Sequence, residues 1–440
     1  MSKKSAFVNV YGFLRIYTGE TMDTGKNYEV KDMTLAEQGK KNLALAEMEM
    51  GALLKVQERF IKEKPFKGIR IGLALHVTKE TGILVRTLIA GGAEVAITGC
   101  NPLSTQDDVA AALATEGVHV WAYKGENRED YYRYLTHVIH FKPHITIDDG
   151  CDLVTEIHTK HTDMIPQLIA GCEETTTGII RLHAMVKDKA LKYPIIAVND
   201  NKTKHLLDNY YGTAQSTMDG IIRATNVLIA GKTFVVLGYG SCGKGVAKAA
   251  KGMGAHVIVC EVDAFRALQA TYDGFTLMKM EDAAQCGDIF LTVTGNKHVV
   301  RVEHMKKMKN GAIIANSGHF DCEIDVAGLA KIAQVERMRP FMDQYTLNGK
   351  KIFILGEGRL INLAAAEGHP SAVMATSFCG QALACEYAVK NKGKMPIGVI
   401  TLPEEIDDTI ARYQLADLNI DIDEMTDEQK KYMSSWQEGT

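Results

Sequence analysis

Residues 233–263 read TFVVLGYGSCGKGVAKAAKGMGAHVIVCEVD. Phe234 to Leu237 are β-prone and apolar. They lead into Gly238-Tyr239-Gly240-Ser241-Cys242-Gly243, after which Val246, Ala247, Ala249, Ala250 and Met253 recur at helical spacing. A second apolar run, His256 to Cys260, ends on Glu261. Strand, glycine turn, helix, strand and a terminal acid about 20 residues past the glycines is the arrangement a dinucleotide site requires. Gly238 permits the tight turn, Gly240 lets backbone N–H groups approach a pyrophosphate, and Gly243 lets the helix pack on the strand. Ser241, Cys242, Lys244 and Gly245 open the helix, whose N-terminus adds partial positive charge. Glu261 accepts hydrogen bonds from ribose hydroxyls and repels a 2′-phosphate, which predicts NAD rather than NADP.

The chain of 440 residues allows about two or three domains, and 46% hydrophobic residues suffice for a core in each. Its net charge of −4 is small and its Lys and Arg are scattered, so neither a nucleic-acid footprint nor a polybasic membrane patch is present. The nine cysteines form no C-x-x-C pair and no His/Cys ligand spacing, which suits a reducing compartment and predicts no metal site. The N-terminus has a basic start without an apolar core or cleavage site, and no segment approaches about 18 apolar residues, so a cytoplasmic protein is expected.

Residues 1–30 are polar and mixed and carry at most a strand or an ordered arm. Thr34-Leu35-Ala36-Glu37 reads as a capping box opening a long helix, with Leu43, Ala46, Met50, Leu53, Leu54 and Phe60 at helical spacing. Then β-rich runs alternate with helices: IRIGLALHVT, AEVAITG, VHVWAYKG, HITIDDG, GIIRL and YPIIAVND. Such alternation predicts a parallel sheet covered on both faces, with ligands beyond the carboxyl ends of its strands. His76, Thr78, Asn101, Asp148, Asp149, Asn199 and Asp200 stand at those ends. GDIFLTVTG and GAIIANSGHF extend the second unit, ending in Thr294, Asn296, Asn316, Ser317 and His319. A long helix from Gly368-His369-Pro370-Ser371 to about Asn391 crosses back to the first unit, and an acidic, helical stretch follows. The expected architecture is therefore α/β, with two doubly wound parallel-sheet, Rossmann-like domains and a small helical C-terminal tail. Residues 1–204, completed by 370–395, form a substrate domain; 209–368 bind NAD; 396–440 are the tail; the hinge lies near 200–212.

Eight blocks, LHVTKET (75–81), CNPLSTQDD (100–108), DDGCDL (148–153), EETTTG (173–178), VNDNKTKHLLDN (198–209), GYGSCGKG (238–245), SGHFDCEID (317–325) and GRLINLAAAEGHPS (358–371), closely resemble S-adenosylhomocysteine hydrolase in the same order over nearly the whole chain. The resemblance implies a thioether hydrolase that uses tightly bound NAD without net redox. The ribose 3′-OH is oxidised, the C4′ proton becomes acidic, homocysteine leaves C5′, water adds, and the ketone is reduced again. It places Lys204 and Asp208 at the ribose hydroxyls, with Lys204 as base for the 3′-OH, provided its pKa is lowered. It makes Asp149 and His76 the candidates for C4′ proton removal and C5′ proton delivery, without deciding between them. Glu174 matches a ribose-binding carboxylate, Thr78 and Glu80 match nucleoside contacts, Glu80 at the base edge, and His319 and His369 match histidines near the 5′ substituent and the domain opening. Thr175, Thr176, Thr177, Asn209, Asn296, Ser317, Gly318, His319 and Asn362 match the nicotinamide cleft, and Arg266 stands near the adenosine ribose.

This chain also departs from the family pattern. Thr213 replaces a frequent cysteine beside the nicotinamide, Arg266 a frequent asparagine, and Glu367 a frequent methionine against the adenine, as in short archaeal-type members. The C-terminal Lys and Tyr that reach a neighbouring subunit's NAD in many members have no counterpart in SSWQEGT, which predicts weaker or differently anchored NAD. Some short relatives prefer S-inosylhomocysteine, so the base is open between adenosyl and inosyl. A silent NAD-binding regulator and a net dehydrogenase are the readings from other classes. By the same resemblance a homotetramer is expected, with a small-molecule substrate and neither nucleic acid nor membrane as partner.

Overall fold

The computed structural model describes residues 27–438 and contains two eight-stranded sheets. The expectation for residues 1–26 lies outside the described residues. The first sheet contains β1 (Tyr28–Glu29), β2 (Arg70–Ala74), β3 (Glu94–Thr98), β4 (His119–Trp121), β5 (Ile145–Asp148), β6 (Ala170–Glu173) and β7 (Ile195–Ala197). The second contains β8 (Thr233–Leu237), β9 (His256–Cys260), β10 (Thr276–Leu277), β11 (Ile289–Thr292), β12 (Ala312–Asn316), β13 (Gln334–Arg339), β14 (Met342–Leu347) and β15 (Lys350–Leu355). Finally β16 (Val399–Ile400) returns to pair with β7.

The first sheet runs β1-β4-β3-β2-β5-β6-β7-β16 and is parallel throughout. The second runs β10-β9-β8-β11-β12-β15-β14-β13, and β14 alone runs against the direction of the other strands. Parallel strands need helical crossovers on both faces, so their side chains are buried on both sides; Ile71, Leu73, Ile145 and Ile147 of the first sheet and Phe234, Val235, Val236 and Leu291 of the second are all within the core. The expected pair of doubly wound α/β units is present, with the β13–β14–β15 meander as an addition that the alternating pattern did not announce.

Three local expectations are corrected. GIIRL is not a strand but part of the helix Thr176–Lys187, where Ile179 and Leu182, three apart, are buried and Ile180 is exposed. The strand is β6, whose Ala170-Gly171-Cys172 carries little β signal. A Cβ on Gly171 would lie 2.5 Å from Ile195 Cδ1 and 2.8 Å from Thr146 Oγ1, so close packing on β5 and β7 demands the small residue. The capping box is absent: Asp32 accepts the Thr34 N–H at 2.8 Å and caps a 3₁₀ turn, Met33–Leu35, ahead of the helix. The long helix is two, Ala36–Met48 and Gly51–Glu63, broken beside the poor helix former Gly51. The C-terminal stretch is also partly built into the first unit, through β16 and through the helix Glu404–Asp417, which packs on Gly51–Glu63 and on the crossing helix Ser371–Lys390.

The turn after β8 follows from sterics. Gly238 has φ +107, a conformation L side chains avoid, and a Cβ on Gly243 would lie 2.0 Å from the Gly238 carbonyl oxygen. Gly243→Ala is therefore expected to cost about 1–3 kcal/mol, read as a lower denaturant midpoint at unchanged slope. Ile410→Ala in the C-terminal helix, fully buried, should cost about 2–5 kcal/mol in the same measurement, against about 0.5 for a residue on a loose tail.

Candidate active site

Open α/β sheets bind ligands where the strand order reverses, beyond the carboxyl ends of the strands. The first sheet reverses between β2 and β5, and the second between β8 and β11. Residues following these ends line one cleft: His76, Asp149, Glu174, Lys204 and Asp208 from the first unit, and Cys242, Ser317, His319 and Asn362 from the second. Thr78, Glu80, Thr175, Asn209 and His369 also line it.

Lys204 opens a π-helix, Lys204–Gly212, whose widened turn sets residues four and five apart on one face. Its Nζ lies 3.1 Å from Asp208 Oδ2 and 3.6 Å from Glu174 Oε1, and donates to Asn209 Oδ1 at 2.7 Å. His369 Nδ1 pairs with Asp208 Oδ1. Glu174 is held in turn, its Oε1 accepting from the Ser377 hydroxyl at 2.6 Å and its Oε2 from Gln381 Nε2. Opposite this group, Asp149 stands between two imidazoles, with Oδ2 3.5 Å from His76 Nε2 and Oδ1 3.4 Å from His319 Nδ1. The other ring nitrogen of His76 meets Ser104 Oγ at 2.8 Å and Cys100 Sγ at 3.2 Å.

Burial pushes the His76 pKa down to about 4 despite Asp149, so its imidazole is neutral near pH 7. Burial raises Glu174 to about 7, against the pull of Lys204 and with Asp208 and Asp149 adding to the rise. Burial works against the charge on Asp208 as well, but Lys204 and His369 outweigh it and hold the carboxyl well below its usual range. Lys204 overturns one expectation. Burial does lower its pKa, yet Asp208, Glu174 and Asp149 outweigh that and hold it as a firm ammonium rather than a free base. Beneath Asp149, Glu173 Oε1 accepts the N–H groups of Gly150 at 2.8 Å and Thr175 at 3.1 Å, joining the turns that carry both halves of the site.

The nucleotide side is built as its glycines suggested. Gly240 precedes the helix Ser241–Gly252 without a side-chain cap, leaving the first N–H groups open to an anion. Glu261 Oε2 accepts the Tyr239 N–H at 2.7 Å and Oε1 those of Val262 and Asp263, which fixes its carboxylate at the end of β9. The guanidinium of Arg266 reaches to 3.8 Å from a Cβ placed on Gly240, Ser241 Oγ meets His205 Nε2 at 3.0 Å, and Lys244 leans on the Tyr239 ring. The buried carboxamide oxygen of Asn362 lines the cleft with no partner, while its Nδ2 donates to Ser216. These groups fit a dinucleotide laid across the turn.

Other expected residues sit at the margin. Thr176 donates to Asn199, Thr177 approaches Gly295, Asn296 is exposed and turned onto the Lys297 N–H, and Gly318 packs against Glu323. The structure adds Leu360, Leu363, Met374 and Phe378 as apolar walls. The last two lie on the crossing helix, where small and apolar residues on every side hid which face meets the cleft. It also gathers His76, Cys100 and Asp149 so that one possible ligand atom of each lies within 4.8 Å of the others, a grouping no local spacing revealed. Burial and the nearby Asp149 raise the Cys100 thiol.

Comparison with known proteins covers both units. Residues 27–168 match the model for S-adenosyl-L-homocysteine hydrolase, and residues 209–368 that for its NAD-binding domain. The S-inosyl-L-homocysteine hydrolase of Methanocaldococcus jannaschii is 56% identical over 414 residues, 94% of this chain and 100% of that protein. The adenosylhomocysteinases of Sulfolobus acidocaldarius and Aquifex aeolicus are 54% and 56% identical over 416 residues, again 94% of this chain and 100% of theirs. With the two walls of one cleft matched by the two domains of a single family, and relatives matched along their full lengths, the chain belongs to the S-adenosyl-L-homocysteine hydrolase family, with residues 209–368 as its NAD-binding domain.

Proposed function

We propose that the protein catalyses the reversible, NAD-dependent hydrolysis of S-adenosyl-L-homocysteine to adenosine and L-homocysteine, with S-inosyl-L-homocysteine as the alternative substrate because relatives of both names reach 56% identity. The observation that carries it is the facing of two proton-handling groups, Lys204–Asp208–Glu174 and Asp149–His76–His319, beside a dinucleotide turn. When bound, NAD takes hydride from the ribose C3′ and returns it at the end, which turns the C4′ hydrogen into a proton α to a carbonyl.

Lys204 and Asp208 bind and orient the ribose hydroxyls. A cation cannot accept the 3′-OH proton, so Lys204 takes it only as it passes its own on to Glu174, 3.6 Å away with a pKa near 7. Asp149 and His76 then act as one proton store across their 3.5 Å gap, removing the C4′ proton and supplying one at C5′, while Ser104 orients the His76 ring. The same pair serves water addition in reverse. The reading includes closure of the two units about residues 200–212 and 362–371 to exclude water from the eliminated intermediate. The proposed division is 1–204 with 370–395 for substrate, 209–368 for NAD, and 396–440 beyond them. A homo-oligomer, a tetramer by resemblance, and a cytoplasmic location are part of the same proposal; among the described residues no helix is long and apolar enough to cross a membrane.

The decisive assay offers the thioether with and without its 3′ hydroxyl. Cleavage of the intact compound alone is expected, and equal rates for both would refute the oxidation route. Lys204→Ala should lower kcat by about 10²–10⁴-fold while the protein still melts cooperatively, at a lower midpoint because Asp208 and Glu174 lose their buried counter-charge. Because Glu174 must be ionised to receive the proton, kcat should fall about tenfold per unit as pH drops below about 7. Glu174→Gln should remove that acid limb and leave a low, flat profile.

A further inference from the structure

Beside Glu80, which lines the cleft, runs an ion-pair relay that the mechanism leaves unused. Glu80, buried at the start of the helix Lys79–Ala90, accepts the Ser371 hydroxyl on Oε1 at 2.6 Å. Lys79 Nζ lies 3.4 Å from that Oε1 but is drawn outward, 2.8 Å from Glu367 Oε2. Arg223 holds the other oxygen of Glu367 at 3.3 Å, and Gln106 donates to the Glu367 carbonyl at 3.2 Å. Neighbouring hydroxyls offer little: Thr81 Oγ1 donates to the His76 carbonyl at 2.6 Å, and Thr78 Oγ1 accepts the Thr81 N–H. The wall around Glu80 is therefore rich in acceptors, and the nearby cationic donor Lys79 is shared with Glu367.

Purines differ at the edge such a wall would read. A 6-aminopurine presents an exocyclic N–H donor and an unprotonated N1, whereas a 6-oxopurine presents an acceptor oxygen beside N1–H. A wall dominated by acceptors suits the first. The second can give N1–H to Glu80 but leaves its oxygen facing carboxylate and hydroxyl lone pairs unless a donor is near.

We propose that the Lys79–Glu367 ion pair is the purine selector of this site: with Lys79 held on Glu367 the wall favours a 6-amino base, and with Lys79 released its ammonium supplies the donor that a 6-oxo base needs. This rests on the reading of Glu80 as the base-edge contact in the proposed function. Lys79 acts at the base, remote from the reacting carbons, so its influence falls on discrimination between nucleosides and not on the chemical step.

The test uses the NAD-loaded enzyme and compares kcat/KM for the adenosyl and inosyl thioethers, together with Kd for adenosine and inosine, in wild type, Glu367→Ala, Lys79→Met and the double variant. Glu367→Ala should move the inosyl-to-adenosyl ratio up by about tenfold, mainly through KM and Kd. Lys79→Met should abolish that gain in the double variant. Melting curves confirm folding, which two partly exposed side chains leave intact. A ratio unchanged within twofold in Glu367→Ala, or a gain that survives Lys79→Met, would overturn the selector while leaving the hydrolase reading in place. If the wild type turned over neither thioether, the hydrolase reading would fail, and the adenosine-to-inosine Kd ratios would still decide the selector.

Discussion

A lysine ammonium buried among carboxylates is the constraint on which the rest of the site depends. Lys204 is almost wholly removed from water, and such a charge is tolerable only with close partners of opposite sign. Asp208 and Glu174 supply the opposite charges and Asn209 a hydrogen-bond acceptor, and each must be delivered from a different part of the chain or a different position on a helical turn. The π-helical winding of residues 204–212 brings two of the three onto the lysine's face, and the end of β6 brings the other. Removing a charged partner would leave buried charge uncompensated, so the cluster holds its own geometry.

The same electrostatics divide the labour within the cleft. Lys204 and His369 keep Asp208 ionised, while Glu174, buried beside the same cation but also facing other carboxylates, is poised near neutrality. Two acids a few ångströms apart thus differ in readiness to take a proton. On the other wall, burial keeps His76 neutral despite Asp149. Pushing neighbouring titratable groups apart in this way is how a site holds both acceptors and donors at one pH.

The two walls belong to separate sheets, and the segments that cross between them carry site residues. Residues 204–212 leave the first unit, and the stretch from Leu360 to Phe378 returns to it with Asn362, His369, Met374 and Phe378 along the way. Lys124 of the first unit donates to the Ala364 carbonyl at 2.7 Å, and Lys79 and Arg223 grip Glu367 from opposite sides, so the crossing is tied to both units. Any change in the relation of the units would be felt directly by groups lining the cleft.

Local sequence determined the parts with local causes. The Gly238–Gly243 turn and its terminal Glu261 were legible because backbone sterics and the acid's place after an apolar strand leave few alternatives. The polar strand ends at His76, Asp149 and Ser317 were legible because parallel strands bury everything before them. The family blocks named the candidate residues but not their states. Tertiary structure decided the rest. It made β6 a strand of small residues, since packing against Ile195 outweighs propensity, and turned the β-branched GIIRL into a helix with one buried face. It joined His76, Cys100 and Asp149 across three segments and held Lys204 charged where base chemistry had suggested a lowered pKa. Proton affinity depends on which charges lie within a few ångströms in a dry interior, and those neighbours come from parts of the chain that no local pattern connects.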